Sequence, residues 1–239
     1  MIDYLVSVDL GQSQDPTAII VAQRVEQLEG EYDRKRGRWP TTSRYEVPHI
    51  DRPPLGTGYP VIVERVAGLL DRLKRKSPDR VTLIVDSTGV GRPVVEMMIV
   101  RGLNPLPVVI TGGQNPSVTQ RALHIPKKVL VSTLAILLGN KRILVSPQLP
   151  LAALLVQELQ AFRMKMSKIG NESFEAWREG DHDDLVLAMC MLAWVGENRL
   201  ASILPQPPAP RLPLPEVKPL SFDQHMRLAR RKATGVARL

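Results

Sequence analysis

Residues 4–22, YLVSVDLGQSQDPTAIIVA, carry the reading on which the fold depends. An apolar run, 4–8, ends in Asp9. A polar turn, GQSQDP, follows, and a β-branched run, 17–22, comes after it. The pattern predicts two strands in hairpin order, with a carboxylate at the mouth of the first. Residues 26–44, EQLEGEYDRKRGRWPTTSR, are polar and punctuated by Gly and Pro, so they read as a hairpin tip or loop. A third strand is predicted near 44–48, which completes an antiparallel opening.

Beyond this opening the elements alternate. Helical spacing of Ile62, Val66, Leu69 and Leu73 predicts a helix over 60–74, with Pro60 in its first turn. Residues 81–85 read as a strand of the buried, parallel kind. Helix is predicted at 92–101, strand at 106–110, helix at 127–138, strand at 143–145, and helices at 151–162 and 183–198. Hairpin-ordered strands followed by strand–helix alternation give an α/β class: a mixed sheet, antiparallel first and then parallel, flanked by helices.

Composition narrows the choices. The chain has 239 residues, 44% hydrophobic and 23% charged, which suits a globular body with a buried core. Its longest apolar run, 185–196, falls short of the roughly 18 residues that span a bilayer, so no membrane partner is expected. The acidic N-terminus, MIDYLVSVDL, is unlike a secretory signal. The single cysteine, Cys190, excludes a disulfide framework and a cysteine-based zinc site. Seven prolines between 205 and 219 predict an extended linker (201–219) that separates a body (1–200) from a short basic tail (220–239). The net charge is +8, and the last 39 residues carry +5 of it, so a polyanionic partner stands beside the plainer reading of a basic tail.

Asp9, Asp86 and the pair Asp183–Asp184 stand out because each adjoins an apolar element. Taken singly, each has a structural use: Asp9 capping the turn at Gly11, Asp86 capping the helix after Gly89, and Asp183 as an ordinary N-cap. Taken together, they suit a different role. Ligands of open α/β sheets gather outside the carboxyl ends of the strands, where Asp9 and Asp86 share a crevice if their strands are neighbours. Clustered carboxylates without an obvious cationic partner in the sequence suit a hard cation, Mg²⁺ or Mn²⁺. Two such ions, about 3.5–4 Å apart, support in-line phosphoryl displacement. Helical geometry aims Asp184 at the strand mouths and sets Asp183 about 100° around the helix. Asp184 is therefore the expected ligand, Asp183 an auxiliary one, and His182 a group that could orient a water or carboxylate.

Five segments in order, SVDLGQSQDPTAIIV, IVDSTGVGRPVVEMM, IPKKVLVSTLAILLGNKRILV, LAALLVQELQAF and GDHDDLVLAMCMLAW, resemble the nuclease domain of the large terminase subunit of tailed phages. That family belongs to the RNase H-like (RuvC-type) superfamily, and the resemblance runs over 1–198. It implies an RNase H-like sheet and a metal-binding set of Asp9, Asp86 and Asp184, with Asp183 close by. It also implies metal-dependent cutting of concatemeric duplex DNA during packaging, with little sequence preference, in the host cytoplasm. No G-x-x-x-x-G-K-[ST] occurs, so ATP hydrolysis by this chain is not expected. A separate packaging ATPase, a small terminase or a portal protein is the expected partner, whether the chain is a stand-alone subunit or an excised domain. Docking through the tail is a further expectation.

The basic residues have two readings. Arg92, Lys127, Lys128, Lys141, Arg142, Arg163, Lys165 and Lys168 form a phosphate track or an ordinary solvated surface. Arg34, Lys35 and Arg36, with Arg38, lie where a hairpin tip would grip a duplex. Trp39 and Trp177 are expected to pack rather than stack on bases. The alternatives to a terminase-type nuclease are a RuvC-like junction resolvase, a sugar-kinase-like ATPase, and a non-catalytic adaptor that binds DNA or portal.

Overall fold

β1 (Ile2–Asp9) is the strand around which the rest is arranged. In a computed structural model, which describes residues 2–11, 15–30, 39–78, 80–89, 91–168 and 183–198, it pairs antiparallel with β2 (Ala18–Leu28) and parallel with β4 (Val81–Asp86). All the described residues lie in one unit, Met1–Pro205. β3 (Thr41–Asp51) extends the antiparallel side, and β8 (Ile143–Val145) joins β3 in parallel. On the other side β5 (Pro105–Thr111) and β7 (Leu123–Pro126) continue the parallel half, and β6 (Ser117–Val118) closes it antiparallel. The order is β6-β7-β5-β4-β1-β2-β3-β8. This is the mixed, helix-flanked sheet expected from the sequence.

Alternation of side chains along the strands divides the core into two layers. Val6, Val8, Ile19, Val21, Leu83 and Val85 face α1 (Tyr59–Lys76) and α2 (Gly91–Val100). Leu5, Ala18, Ile20, Ala22, Ile84 and Val108 face α3 (Lys127–Gly139), α4 (Ala152–Lys168) and α5 (Asp184–Asn198). α1 is amphipathic, and Lys74, Arg75 and Lys76 in its last turn suit the negative end of the helix dipole. α5 is apolar on nearly every face because sheet and helices enclose it. Its far end rests on Tyr45: a Cβ at Gly196 would lie 2.5 Å from the Tyr45 ring. Tyr45 donates its hydroxyl to Glu197 at 2.6 Å, and Arg142 grips the same carboxylate at 2.7 Å. Burial first, then Glu197, pushes the Tyr45 hydroxyl far above its usual range.

Two differences from the expected elements have plain causes. β2 continues to Leu28 and β3 begins at Thr41, inside the segment read as a loop. Ladder hydrogen bonds extend this polar arm, with the Arg24–Glu26 ion pair at 2.9 Å beside them, and Leu28 at its end is exposed. β6 and β7 were not expected, since strands of two and four residues carry too little alternation to register. Arg34, Lys35, Arg36 and Arg38, His182, Trp177, the linker and the tail lie outside the described residues, as do the side chains of Arg163, Lys165 and Lys168. Among the described residues no helix is long and apolar enough to cross a membrane.

Candidate active site: carboxylates at the strand mouth

The parallel register sets Val8 opposite Val85, so Asp9 and Asp86, one residue further along each strand, stand side by side at the sheet's carboxyl edge. Alternation turns both toward the α5 layer, in line with Leu5 and Ile84 of the same strands. Each is held by its local turn. After β1, the amide of Gly11 donates to Thr17 Oγ1 at 3.1 Å. After β4, Asp86 Oδ1 accepts from the Thr88 amide at 2.8 Å, while Thr88 Oγ1 accepts from the amide of Ile110 at 2.9 Å. Gly91 is required there by close approach, because a Cβ would lie 2.0 Å from the Asp86 carbonyl oxygen. Asp86 thus closes a turn at Thr88, ahead of α2 rather than on its first amides, alongside its place in the cluster.

Asp9 is buried and shares a side-chain hydrogen bond with Asp86. Burial first, then the charges of Asp86, Asp184 and Asp183, pushes its carboxyl well above the ordinary carboxylate range. Asp184 opens α5 and is also buried. Asp183 supplies the carbonyl that accepts the first helical bond, from the Leu187 amide at 2.9 Å. The four aspartates singled out in the sequence therefore share one electrostatic neighbourhood.

Two of the four have cations that sequence reading did not foresee. Arg52, directly after β3, places Nη2 2.9 Å from Asp184 Oδ2 and 2.8 Å from Glu158 Oε1. Lys127, the first residue of α3, lies 3.3 Å from Asp183 Oδ2. Glu158 belongs to α4, and its other oxygen accepts the Leu185 amide at 3.1 Å, which caps α5. Burial raises the Glu158 carboxyl, Arg52 lowers it, and Asp184 raises it again. Arg52 and Glu158 were missed. The signal for Glu158 was a charge on the apolar stripe that runs through Leu155 and Phe162; Arg52 left none.

The basic candidates separate. Lys127 is engaged within the acidic cluster, and Arg142 is locked by Glu197 and the Ser43 carbonyl at the other end of α5. Arg142 is thus a structural residue rather than part of a phosphate track. Arg92, exposed near the start of α2, and the half-buried Lys128 remain near the mouth by position in the fold, while Lys141 is exposed after α3. Trp39 is half exposed.

The donor set was tested against a divalent cation. Every ligand atom on offer is a carboxylate oxygen, which suits a hard ion. The raised Asp9 carboxyl reflects a cost of burial and like charge that a cation's charge would offset. Asp9 and Asp86 fit such an ion. Among the described residues, however, no three His, Cys, Asp or Glu side chains close around a common point. Asp184 is turned to Arg52, and Asp183 to Lys127.

No family model matches the chain, and no curated protein matches its sequence. Among solved structures, the manganese-soaked nuclease domain of human cytomegalovirus terminase superposes with a TM-score of 0.51 at 10% identity, over 86% of this chain and 89% of that one. The large terminase nuclease of thermophilic phage G20c gives 0.45 at 20% identity, over 80% of this chain and 81% of that one. The likeness to the cytomegalovirus domain is one of fold: the eight-stranded mixed sheet with flanking helices is that of a terminase nuclease, RNase H-like domain.

Proposed function

We propose that this chain is a divalent-metal-dependent endodeoxyribonuclease of the terminase type, cutting duplex DNA during genome packaging with little sequence preference. The observation that carries the reading is the Asp9–Asp86 pair, two carboxylates abreast at the mouth of parallel strands, Asp9 buried and Asp86 half-buried, with Asp184 and Asp183 in their field. Buried like charges are costly to keep without compensation, so their convergence needs a chemical reason. Asp9 and Asp86 would hold Mg²⁺ or Mn²⁺, with Asp184 and Asp183 completing the acidic rim; two ions are expected once DNA is bound. Such an ion supplies Lewis-acid stabilisation of charge on the transferring phosphoryl group. The manganese soaked into the cytomegalovirus domain of the same fold supports that choice of ion.

The chain's own residues set the geometry. β1 and β4 fix the spacing of the first two carboxylates, and Gly91 keeps the Asp86 turn tight. Burial keeps bulk water from screening the site, so charge at the mouth acts at close to full strength. Arg92 and Lys128, with Arg34, Lys35 and Arg36, are proposed to carry the DNA backbone, and His182 to assist beside Asp183. A packaging ATPase, a small terminase or a portal protein is the proposed partner, with the basic tail as a docking segment and the host cytoplasm as the setting.

Supercoiled plasmid tests the reading. Nicked and linear products are expected with Mn²⁺ or Mg²⁺ and not with EDTA, and Asp9→Asn or Asp86→Asn should abolish them. DNA retention without cleavage or metal dependence would point to the adaptor instead.

A further inference from the structure

We infer that Arg52 is a resident counter-ion of this site: it holds Asp184 against Glu158 and so limits how tightly the carboxylates take up a divalent cation. The inference rests on the reading of Asp9, Asp86 and Asp184 as metal ligands and adds a residue that acts through one of them. Arg52 is in this sense a positioning residue.

The geometry is specific. One nitrogen, Arg52 Nη2, bridges Glu158 Oε1 at 2.8 Å and Asp184 Oδ2 at 2.9 Å. The side chains of all three are largely buried, at 15%, 5% and 11% exposure in the order Arg52, Glu158, Asp184. Arginine–carboxylate pairs are frequently bidentate, with two parallel N–H groups on one carboxylate. Here the guanidinium is divided between two, and its Nε is buried with no hydrogen-bond partner among the described residues. A buried donor left unmatched costs about 1–3 kcal/mol, so this is a poor resting geometry for an arginine that serves packing alone.

The two carboxylates are not equivalent. Glu158 is pinned by the Leu185 amide and remains as the cap of α5. Asp184 has the Asp9–Asp86 pair on its other side, and its charge already reaches Asp9. Arg52 and a divalent cation are therefore alternative sources of positive charge for Asp184. While Arg52 holds Asp184, one oxygen of the third carboxylate is engaged by the guanidinium. When the cation takes it, Arg52 still has Glu158 as a partner. Glu158 thus competes with Asp184 for the arginine and makes it easier to displace.

This predicts opposite effects for two changes that each remove one charge. In Arg52→Gln, Asp184 loses its competitor cation and Mn²⁺ should bind at least about threefold more tightly, because removing one close opposing charge is worth at least that much even at high effective dielectric. In Glu158→Gln, which keeps an acceptor for the Leu185 amide, Arg52 passes wholly to Asp184 and Mn²⁺ should bind more weakly. A general change in local field would make the two effects additive. Action through Asp184 makes Glu158→Gln nearly silent, within about twofold, once Arg52 is already Gln.

The experiment is calorimetric titration of Mn²⁺ into the full chain for the wild type, both single variants and the double variant, with thermal unfolding in EDTA and in Mn²⁺ beside it. Arg52→Gln should unfold earlier in EDTA and recover much of the loss in Mn²⁺. Unchanged or weaker Mn²⁺ binding by Arg52→Gln, tighter binding by Glu158→Gln, or additive effects overturn the inference. If Arg52→Gln fails to fold, Arg52→Met takes its place in the same four-way comparison, and additive effects again overturn the inference. A wild-type chain that gives neither heat nor a thermal shift with Mn²⁺ overturns the metal-ligand reading itself, an outcome distinct from a wild type that binds and an Arg52 variant that binds equally.

Discussion

Asp9 and Asp86 share a hydrogen bond because the residues before them, Val8 and Val85, stand opposite each other in a parallel ladder. No local motif brings the two aspartates together. Strand register does so, and a slip of one residue would turn both side chains toward α1 and α2.

The first prediction concerns the cost of that contact. The raised Asp9 carboxyl means that the folded chain binds more protons than the unfolded chain once pH exceeds the ordinary value of 3.8. For this group, stability is present below that pH and is lost as pH rises toward the folded value. Asp9→Asn removes the penalty. It should therefore raise Tm in EDTA at neutral pH, by about 2–4 °C for each 1 kcal/mol recovered, and also abolish the Mn²⁺-induced shift. Calorimetric scans with and without Mn²⁺ measure both; a lower Tm in EDTA would contradict the account.

A second prediction separates geometry from stability at the Asp86 turn. Gly91→Ala sets a methyl group 2.0 Å from the Asp86 carbonyl oxygen, so the backbone must move. A displacement of about 1 Å at a reacting centre can lower a rate about 10²-fold. Plasmid nicking should fall by that order while circular dichroism still reports a folded chain. An unchanged rate would show that the turn does not set the position of Asp86.

Tyr45→Phe tests the opposite end of α5. The Tyr45 hydroxyl donates to Glu197, which keeps Arg142 as a second partner. Losing a hydrogen bond to a charged acceptor costs about 1.5–3 kcal/mol, with the retained Arg142 partner favouring the lower part of the range. Gly196 lies twelve residues along the helix from Asp184, about 18 Å at 1.5 Å per residue, so nicking should be unaffected. Denaturant unfolding and a plasmid assay on the same sample make the comparison.

His49 gives an acid-side prediction. Burial lowers its pKa from 6.5; Asp51 opposes the shift, and Arg72 and Arg65 reinforce it. The unfolded chain then binds more protons below pH 6.5, so the contribution of His49 to stability is full above that value and declines as pH falls toward the folded value. His49→Gln should flatten the loss of Tm between pH 7 and pH 5. An identical pH profile would exclude His49 as the cause.

The sequence exposed the sheet and the first three acids because both are written locally. A buried parallel strand reads as a short apolar run, and a carboxylate placed where the run stops is conspicuous, as Asp9 and Asp86 are; Asp184 shows in the same way where the apolar run of α5 begins. The ion pairs were not legible. Arg52 follows a polar strand and looks like any surface arginine until β3 brings its end beside α4 and α5. Glu158 interrupts the stripe of Leu155 and Phe162, a signal visible in retrospect. Lys127 read as a phosphate contact because its position beside Asp183 depends on how α3 packs against α5. The edge strands β6 and β7 were missed because two to four residues carry no usable period.

The most direct test of the central claim is a crystal of the protein soaked in Mn²⁺, with anomalous scattering recorded at the manganese edge. The account predicts an anomalous peak between Asp9 and Asp86, with carboxylate oxygens about 2.0–2.2 Å away if coordination is octahedral and Mg²⁺-like. A soak that leaves Asp9 hydrogen-bonded to Asp86, with no peak between them at saturating Mn²⁺, would contradict it.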